Sequence, residues 1–159
     1  MPLTSLTTLI SGGQTGVDRA ALDFARRQGL AHGGWCPKGR LAADGPLPDD
    51  YRLQETDSPG YRQRTKANVR DSDATLILIR GELSGGSRLT QEFIRKLGKP
   101  GFIWQLDDPY PPQHTALLCW LSQHPIRVLN LAGPSEARSP GIYQTSLALL
   151  QRLWDEQVT

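Results

Sequence analysis

Cysteine is scarce in this chain: Cys36 and Cys119 are the only two in 159 residues. They stand in no metal-ligand spacing and are too few to staple a domain of this size. A disulfide scaffold is therefore not indicated, and a reducing, cytoplasmic setting fits better. Long apolar runs are also missing, and no stretch approaches the roughly 18–20 residues of a membrane span. The opening Met1-Pro2-Leu3-Thr4-Ser5 has no basic region followed by an apolar run, which argues against a signal peptide. Charge of one sign is nearly balanced at a formal net +2, so charge alone gives no case for nucleic acid. His114 and His124 have no carboxylate or cysteine at metal spacing, and no Ser/His/Asp order stands out. Metallohydrolase and triad chemistry thereby lose their residues, and no bound metal is expected.

What the chain does have is order in its few apolar residues. They make up 38% of the chain and charged residues 21%, but they come in blocks, which excludes a disordered polypeptide. The length suits one domain, spanning residues 1–159, with one core. Leu6 to Ser11 reads as a short strand ending in Gly12-Gly13. A helix opens at Gln14 or Thr15 and carries Val17, Ala20, Ala21, Phe24 and Ala25 on one face, with Gly29 as its cap. Leu30 to Trp35 reads as a weaker strand, and Cys36 to Gly60 as a long functional loop. Tyr61 to Asp71 predicts a polar helix across the surface, and Ala74 to Ile79 a strand covered on both faces. After Gly85-Gly86, Leu89 to Leu97 predicts a helix closed by Gly98. Strands follow at Gly101 to Gln105 and Ile126 to Leu131, with helices at His114 to Gln123 and Ile142 to Trp154.

Alternating strands and helices predict an α/β fold, a Rossmann-like three-layer sandwich with a mostly parallel sheet of five to seven strands. In such sheets ligands bind beyond the carboxyl ends of the strands. Three glycine-bearing turns are expected there: Gly12 to Gly16, Gly81 to Ser87, and Gly133 to Ser135.

The first turn, Ser11-Gly12-Gly13-Gln14-Thr15-Gly16, suits an anion, because glycines let successive N–H groups converge and the following helix adds its own. A ligand-free strand-to-helix turn is the alternative. The spacing is neither the dinucleotide fingerprint nor a P-loop, since no Gly-Lys-Ser/Thr follows. Asp18 can complement the helix dipole, whereas Arg19 at a helix start calls for a nearby ligand or carboxylate. The second turn offers Gly85, Gly86, Ser87, Arg88 and Thr90 to a phosphate. Glu92 is either a first-turn acid or part of a capping box, or else a general acid or base or a receptor for a sugar or pterin amine. Lys38, Gly39 and Arg40 suit an oxyanion, and Trp35 a planar ring or the core. Arg62, Thr65, Asn68 and Asp71 share one helix face, which is either solvated or turned, through Arg62 and Asn68, to the cleft. Lys38, Arg40, Arg52, Arg62, Arg64, Lys66, Arg70 and Arg88 make the middle third basic, as a solvated face or an anion site.

Several blocks together resemble the molybdenum cofactor carrier family. They are Ile10 to Asp23, Gly34-Trp35-Cys36-Pro37-Lys38-Gly39-Arg40, Tyr61-Arg62-Gln63-Arg64-Thr65, Asn68 to Thr75, and Leu131-Ala132-Gly133-Pro134-Ser135-Glu136. The resemblance runs from about Leu9 to Tyr143. It implies membership of a wider Rossmann-like group that binds nucleotides or nucleotide-derived ligands. It implies a cytoplasmic homo-oligomer, a tetramer, holding molybdenum cofactor (molybdopterin with its molybdate head) non-covalently for cofactor-accepting molybdoenzymes. On that reading the phosphate or oxo head rests on Gly12 to Gly16 with Arg19, and Lys38, Arg40 and Arg88 complete the cage.

The same group contains phosphoribohydrolases that cleave nucleoside monophosphates at a Pro-Gly-Gly-x-Gly-Thr-x-x-Glu motif. Aligning Gly85-Gly86 keeps Glu92 at the catalytic glutamate. Ser84 replaces the proline, and Arg88 and Leu89 replace the Gly-Thr, which puts bulk where backbone should touch the 5′-phosphate. Those departures tilt the expectation from cleaving a ligand to holding one. A module that senses a nucleotide-like ligand is the third possibility.

Overall fold

The computed structural model describes residues 5–158, so residues 1–4, read above for a leader, lie outside it. The chain runs β1 (Thr8–Ile10), α1 (Val17–Gln28), β2 (Ala31–Gly33), β3 (Trp35–Cys36), β4 (Gln54–Glu55) and α2 (Tyr61–Arg70). It continues through β5 (Ala74–Ile79), α3 (Gly85–Leu97), β6 (Gly101–Gln105), α4 (Tyr110–Gln123), β7 (Val128–Ala132) and α5 (Ile142–Val158). Five strands form one sheet in the order β2-β1-β7-β5-β6, and every pairing in it is parallel.

Strand β5 shows why the sheet is covered on both faces. Its six residues are all buried, and its side chains alternate between two cores. Ala74, Leu76 and Leu78 join Val17, Phe24, Leu129, Ile142 and Leu153 in the larger core, under α1, α4 and α5. Ile77 and Ile79 join Val69, Phe93 and Ile94 in the smaller one, under α2 and α3. Three layers result, as the alternation predicted.

Among the boundaries that differ from the sequence reading, three have a plain local reason. The strand expected over Leu30 to Trp35 breaks at Gly34 (φ +121°). Its first part joins the main sheet, while Trp35–Cys36 pairs in parallel with Gln54–Glu55 in a separate two-stranded sheet. The long loop thus has a strand of its own. Helix α3 begins at Gly85 rather than Leu89, because glycines read as breakers lie in its first turn. Helix α4 begins at Tyr110 rather than His114, because Pro111 and Pro112 sit in its first turn, where a missing N–H costs nothing.

Helix α4 is tied to α5 by a ring-and-charge cluster. Tyr110 donates to Glu156 (2.5 Å), Arg152 lies over the Tyr110 ring (3.4 Å to its centroid), and His114 stacks on the same ring. The Tyr110 hydroxyl holds Glu156 below the usual carboxylate range, and Arg152 assists.

Candidate ligand-binding site

The carboxyl ends of β1, β7 and β5, three adjacent strands, deliver their following turns to one cleft of about 250 Å³. Gln14 comes from the first turn, Gly133, Pro134, Ser135 and Arg138 from the β7–α5 turn, and Ser84, Gly86 and Ser87 from the start of α3. Helix α2 closes the fourth side with Tyr61, Arg64 and Thr65. The three glycine-bearing turns therefore do converge.

Within the first turn, however, the N–H groups are directed inward. Gly13 N–H donates to Ser11 Oγ, Gln14 N–H to Asp18 Oδ2, Thr15 N–H to Gln14 Oε1, and Val17 N–H to the Pro134 carbonyl. The Gly12 N–H also favours the charged form of Asp18. Asp18 is 3% exposed, so the turn is loaded with an anion that the chain itself supplies. Burial pushes the Asp18 carboxyl above its ordinary range, against the opposing pull of Arg64 and the N–H groups.

Two arginines face the cleft, each laid on a glycine. A Cβ on Gly12 would fall 2.2 Å from Arg64 Nη1, and one on Gly85 would fall 2.0 Å from Arg138 Nη1. Arg64 approaches Asp18 at 3.5 Å, and its buried Nε has no hydrogen-bond partner. Among the described residues no carboxylate pairs with Arg138. The start of α3 lies in the same cleft; Ser87 N–H is bonded to the Ser84 carbonyl (3.1 Å), and the N–H groups of Gly85 and Gly86 have no carbonyl in their own helix to bond. Its N-cap, Ser84, makes no side-chain capping bond. The uncommitted positive field of this region is therefore at Gly85, Gly86 and Arg138, with Arg64 half committed.

The other residues singled out from sequence fall into separate groups. Gln14 lines the cleft and links its walls: Oε1 accepts from Thr15 and Ala43 N–H, and Nε2 donates to the Tyr61 hydroxyl. Thr15 Oγ1 accepts from Glu136 N–H. Gly16 (φ +86°) presses on the β7–α5 turn, where a Cβ would fall 2.4 Å from the Pro134 carbonyl oxygen. The partner required by Arg19 is a carboxylate: both its terminal nitrogens bond Asp44 (2.9 and 3.1 Å), and the Gly13 carbonyl accepts from the same guanidinium. Arg19 borders a different hollow of about 430 Å³, with Asp23, Tyr51, Glu136 and Tyr143. There Tyr51 and Tyr143 both donate to Asp23, and burial with that bond pushes the Tyr143 phenol up to about 12.

Lys38 and Gly39 are exposed away from the cleft, Gly39 N–H bonding Glu55. Arg40 is spent on the chain itself. Its guanidinium donates to the carbonyls of Leu47, Pro48, Tyr51 and Leu53, so it buckles the long loop rather than caging an anion. That loop sets Leu47 and Leu53 against Gly13. Replacing Arg40 with Ala is expected to release the loop and to speed proteolytic cleavage within residues 41–53 about tenfold, read by timed digestion and mass spectrometry.

Arg62 lies over the Phe93 ring and is exposed. Asn68 is buried and clamps β3, accepting from Trp35 N–H and donating to the Trp35 carbonyl; it does not reach the cleft. Cys36 is core, packed with Leu22, Leu47 and Leu53, and burial pushes its thiol up. In α3, Ser87 is buried at the cleft wall and Thr90 bonds back to the Gly86 carbonyl. Arg88 turns to the Leu83 carbonyl, and Glu92 is exposed outside the cleft lining.

Sequence reasoning missed Tyr61, Arg64 and Arg138 as site residues. Tyr61 and Arg64 were visible as one helical turn apart, a spacing that puts both on one side of α2. Arg138 lies just beyond the Gly133–Ser135 turn, too far from a glycine in sequence to be read with one.

Parallel strands bearing three ligand-facing turns at one sheet edge define a Rossmann-like α/β protein of the ligand-binding kind. The family model for the circularly permutated YpsA SLOG family matches residues 9–154, and the chain belongs to that family. Among solved structures it is similar to the protein from Syntrophus aciditrophicus named "Putative molybdenum carrier protein". The two are 47% identical, with a TM-score of 0.89, over 92% of this chain and 94% of that one. No curated protein matches the chain. No helix among the described residues is long and apolar enough to cross a membrane.

Proposed function

We propose that this protein binds and carries molybdenum cofactor non-covalently, holding its pterin phosphate at the start of α3. One observation carries the reading. Arg64 and Arg138 enter one cleft from different walls beside helix N–H groups that have no intrahelical partner, and Arg138 has no carboxylate among the described residues. Guanidinium groups held this way match a phosphate by charge-assisted, bidentate hydrogen bonds. Ser84, Ser87 and Ser135 supply hydroxyls around the same space. The name of the Syntrophus relative supports the choice of cargo. The phosphate seat is thus assigned to the N–H groups of Gly85 and Gly86 with both arginines, and the Gly12–Gly16 turn, filled by Asp18, is assigned the part of a wall.

Glu92 is exposed and does not line the cleft, which disfavours the phosphoribohydrolase alternative. The test is anaerobic incubation with molybdenum cofactor, followed by measurement of retention and of transfer to a cofactor-free acceptor enzyme. Retention and transfer are expected, and Arg138→Ala is expected to weaken retention about tenfold or more, the scale of one hydrogen bond to a charged group. Failure to retain or protect the cofactor, with release of base from a nucleoside monophosphate, would overturn the carrier reading.

A further inference from the structure

Among the described residues, Tyr61 is one of only two large hydrophobic side chains that the core leaves open, with half of its surface exposed. It is also a lining residue of the cleft, at the first position of α2. An aromatic ring left half open in water at the mouth of a polar cleft has a face to offer.

Two contacts hold that ring in place. The Arg64 guanidinium lies over it, 5.3 Å from its centroid, and Gln14 Nε2 donates to its hydroxyl at 3.2 Å. Gln14 is itself fixed by the N–H groups of Thr15 and Ala43. Tyr61 therefore has little rotamer freedom left to lose when a ligand arrives. The cation beneath it is one of the two arginines assigned to the phosphate, so ring and anion seat share a wall.

We propose that Tyr61 is the stacking platform of this site, and that the cleft selects phosphomonoesters bearing a planar heteroaromatic ring over aliphatic phosphates. The inference rests on the reading of the cleft as a phosphate seat. Stacking on an aromatic side chain tolerates any flat π-system, so Tyr61 supplies ring selectivity but not the identity of the ring.

The experiment titrates the full chain with two phosphomonoesters, neopterin monophosphate followed by its own fluorescence and ribose 5-phosphate followed by calorimetry. The pterin ester is expected to bind about tenfold or more tightly than the sugar ester, with its emission quenched on binding. Tyr61→Ala and Tyr61→Leu should each remove that advantage and the quenching, while the affinity for ribose 5-phosphate stays within about twofold. Tyr61→Phe keeps the ring and should keep both. If Tyr61→Ala and Tyr61→Leu weaken both esters equally, Tyr61 only props Arg64 and the proposal is overturned. Unchanged pterin affinity in these variants overturns it too. Equal binding of the two esters by the unaltered protein overturns the stack but leaves the phosphate seat standing. Binding of neither ester removes the seat, and the stack with it.

Discussion

Replacing Arg64 with Met is expected to destabilise the protein by about 3–5 kcal/mol at neutral pH, the scale of stranding one member of a buried ion pair. Arg64 is the cation nearest Asp18, whose carboxyl is 3% exposed and already held above its ordinary pKa by burial. Without the guanidinium, burial acts unopposed by its strongest counterweight, and the folded-state pKa rises further. A carboxyl whose pKa is higher folded than unfolded contributes most below its unfolded pKa, and that contribution is lost as pH rises through the folded value. The deficit of the variant should therefore shrink on acidification towards the ordinary aspartate range and widen towards neutrality. Chemical denaturation of both proteins across that range checks the slope. Adding Asp18→Asn to the variant should restore much of the loss at neutral pH, because it removes the charge that was stranded. A deficit that does not change with pH would place the cost in packing on Gly12 instead.

Gly16→Ala is the second large effect, expected to cost about 3–5 kcal/mol and to lower the melting temperature by about 10 °C or more. Two causes add. The backbone at Gly16 (φ +86°, ψ −131°) is a conformation almost closed to side chains, and a Cβ there would meet the Pro134 carbonyl oxygen at 2.4 Å and Glu136 N at 2.8 Å. Both neighbours are main chain. They are fixed in turn by the Val17 bond to Pro134 and by Glu136, whose carboxylate accepts from Gly141 and Tyr143 N–H. Nothing there is free to yield. Gly29→Ala is the control, because Gly29 also has positive φ (72°) but open space around it. It should cost only about 1 kcal/mol. Equal melting temperatures for the two variants would show that the close approach to Pro134 carries no weight.

The layers of this fold were legible in the sequence because burial leaves a period. Ala74 to Ile79 reads as a continuous aliphatic strand, and it is the buried strand from which both cores are built. Positions of turns were legible too, since glycine marks them. What each turn does was not, because a glycine records that space is needed without saying for what. Gly12 reads as backbone bared for an anion, yet the group that needs its missing side chain is Arg64. Asp18 reads as a residue that complements a helix dipole, while its carboxylate reaches back to the N–H group of Gln14. Arg40 reads like any basic residue beside a glycine. Its four carbonyl partners come from residues 47–53, which form no recognisable pattern with it.

The seating of each cleft arginine on a glycine ties together positions that are distant along the chain. Gly12 and Arg64 form one such couple, and Gly85 and Arg138 the other. In each couple the volume denied to one residue is the volume occupied by the other. A side chain gained at position 85 would push the Arg138 guanidinium from its place without altering any charged residue. A drift in ligand preference within this lineage could therefore begin at a glycine and look, in a list of substitutions, like a neutral change.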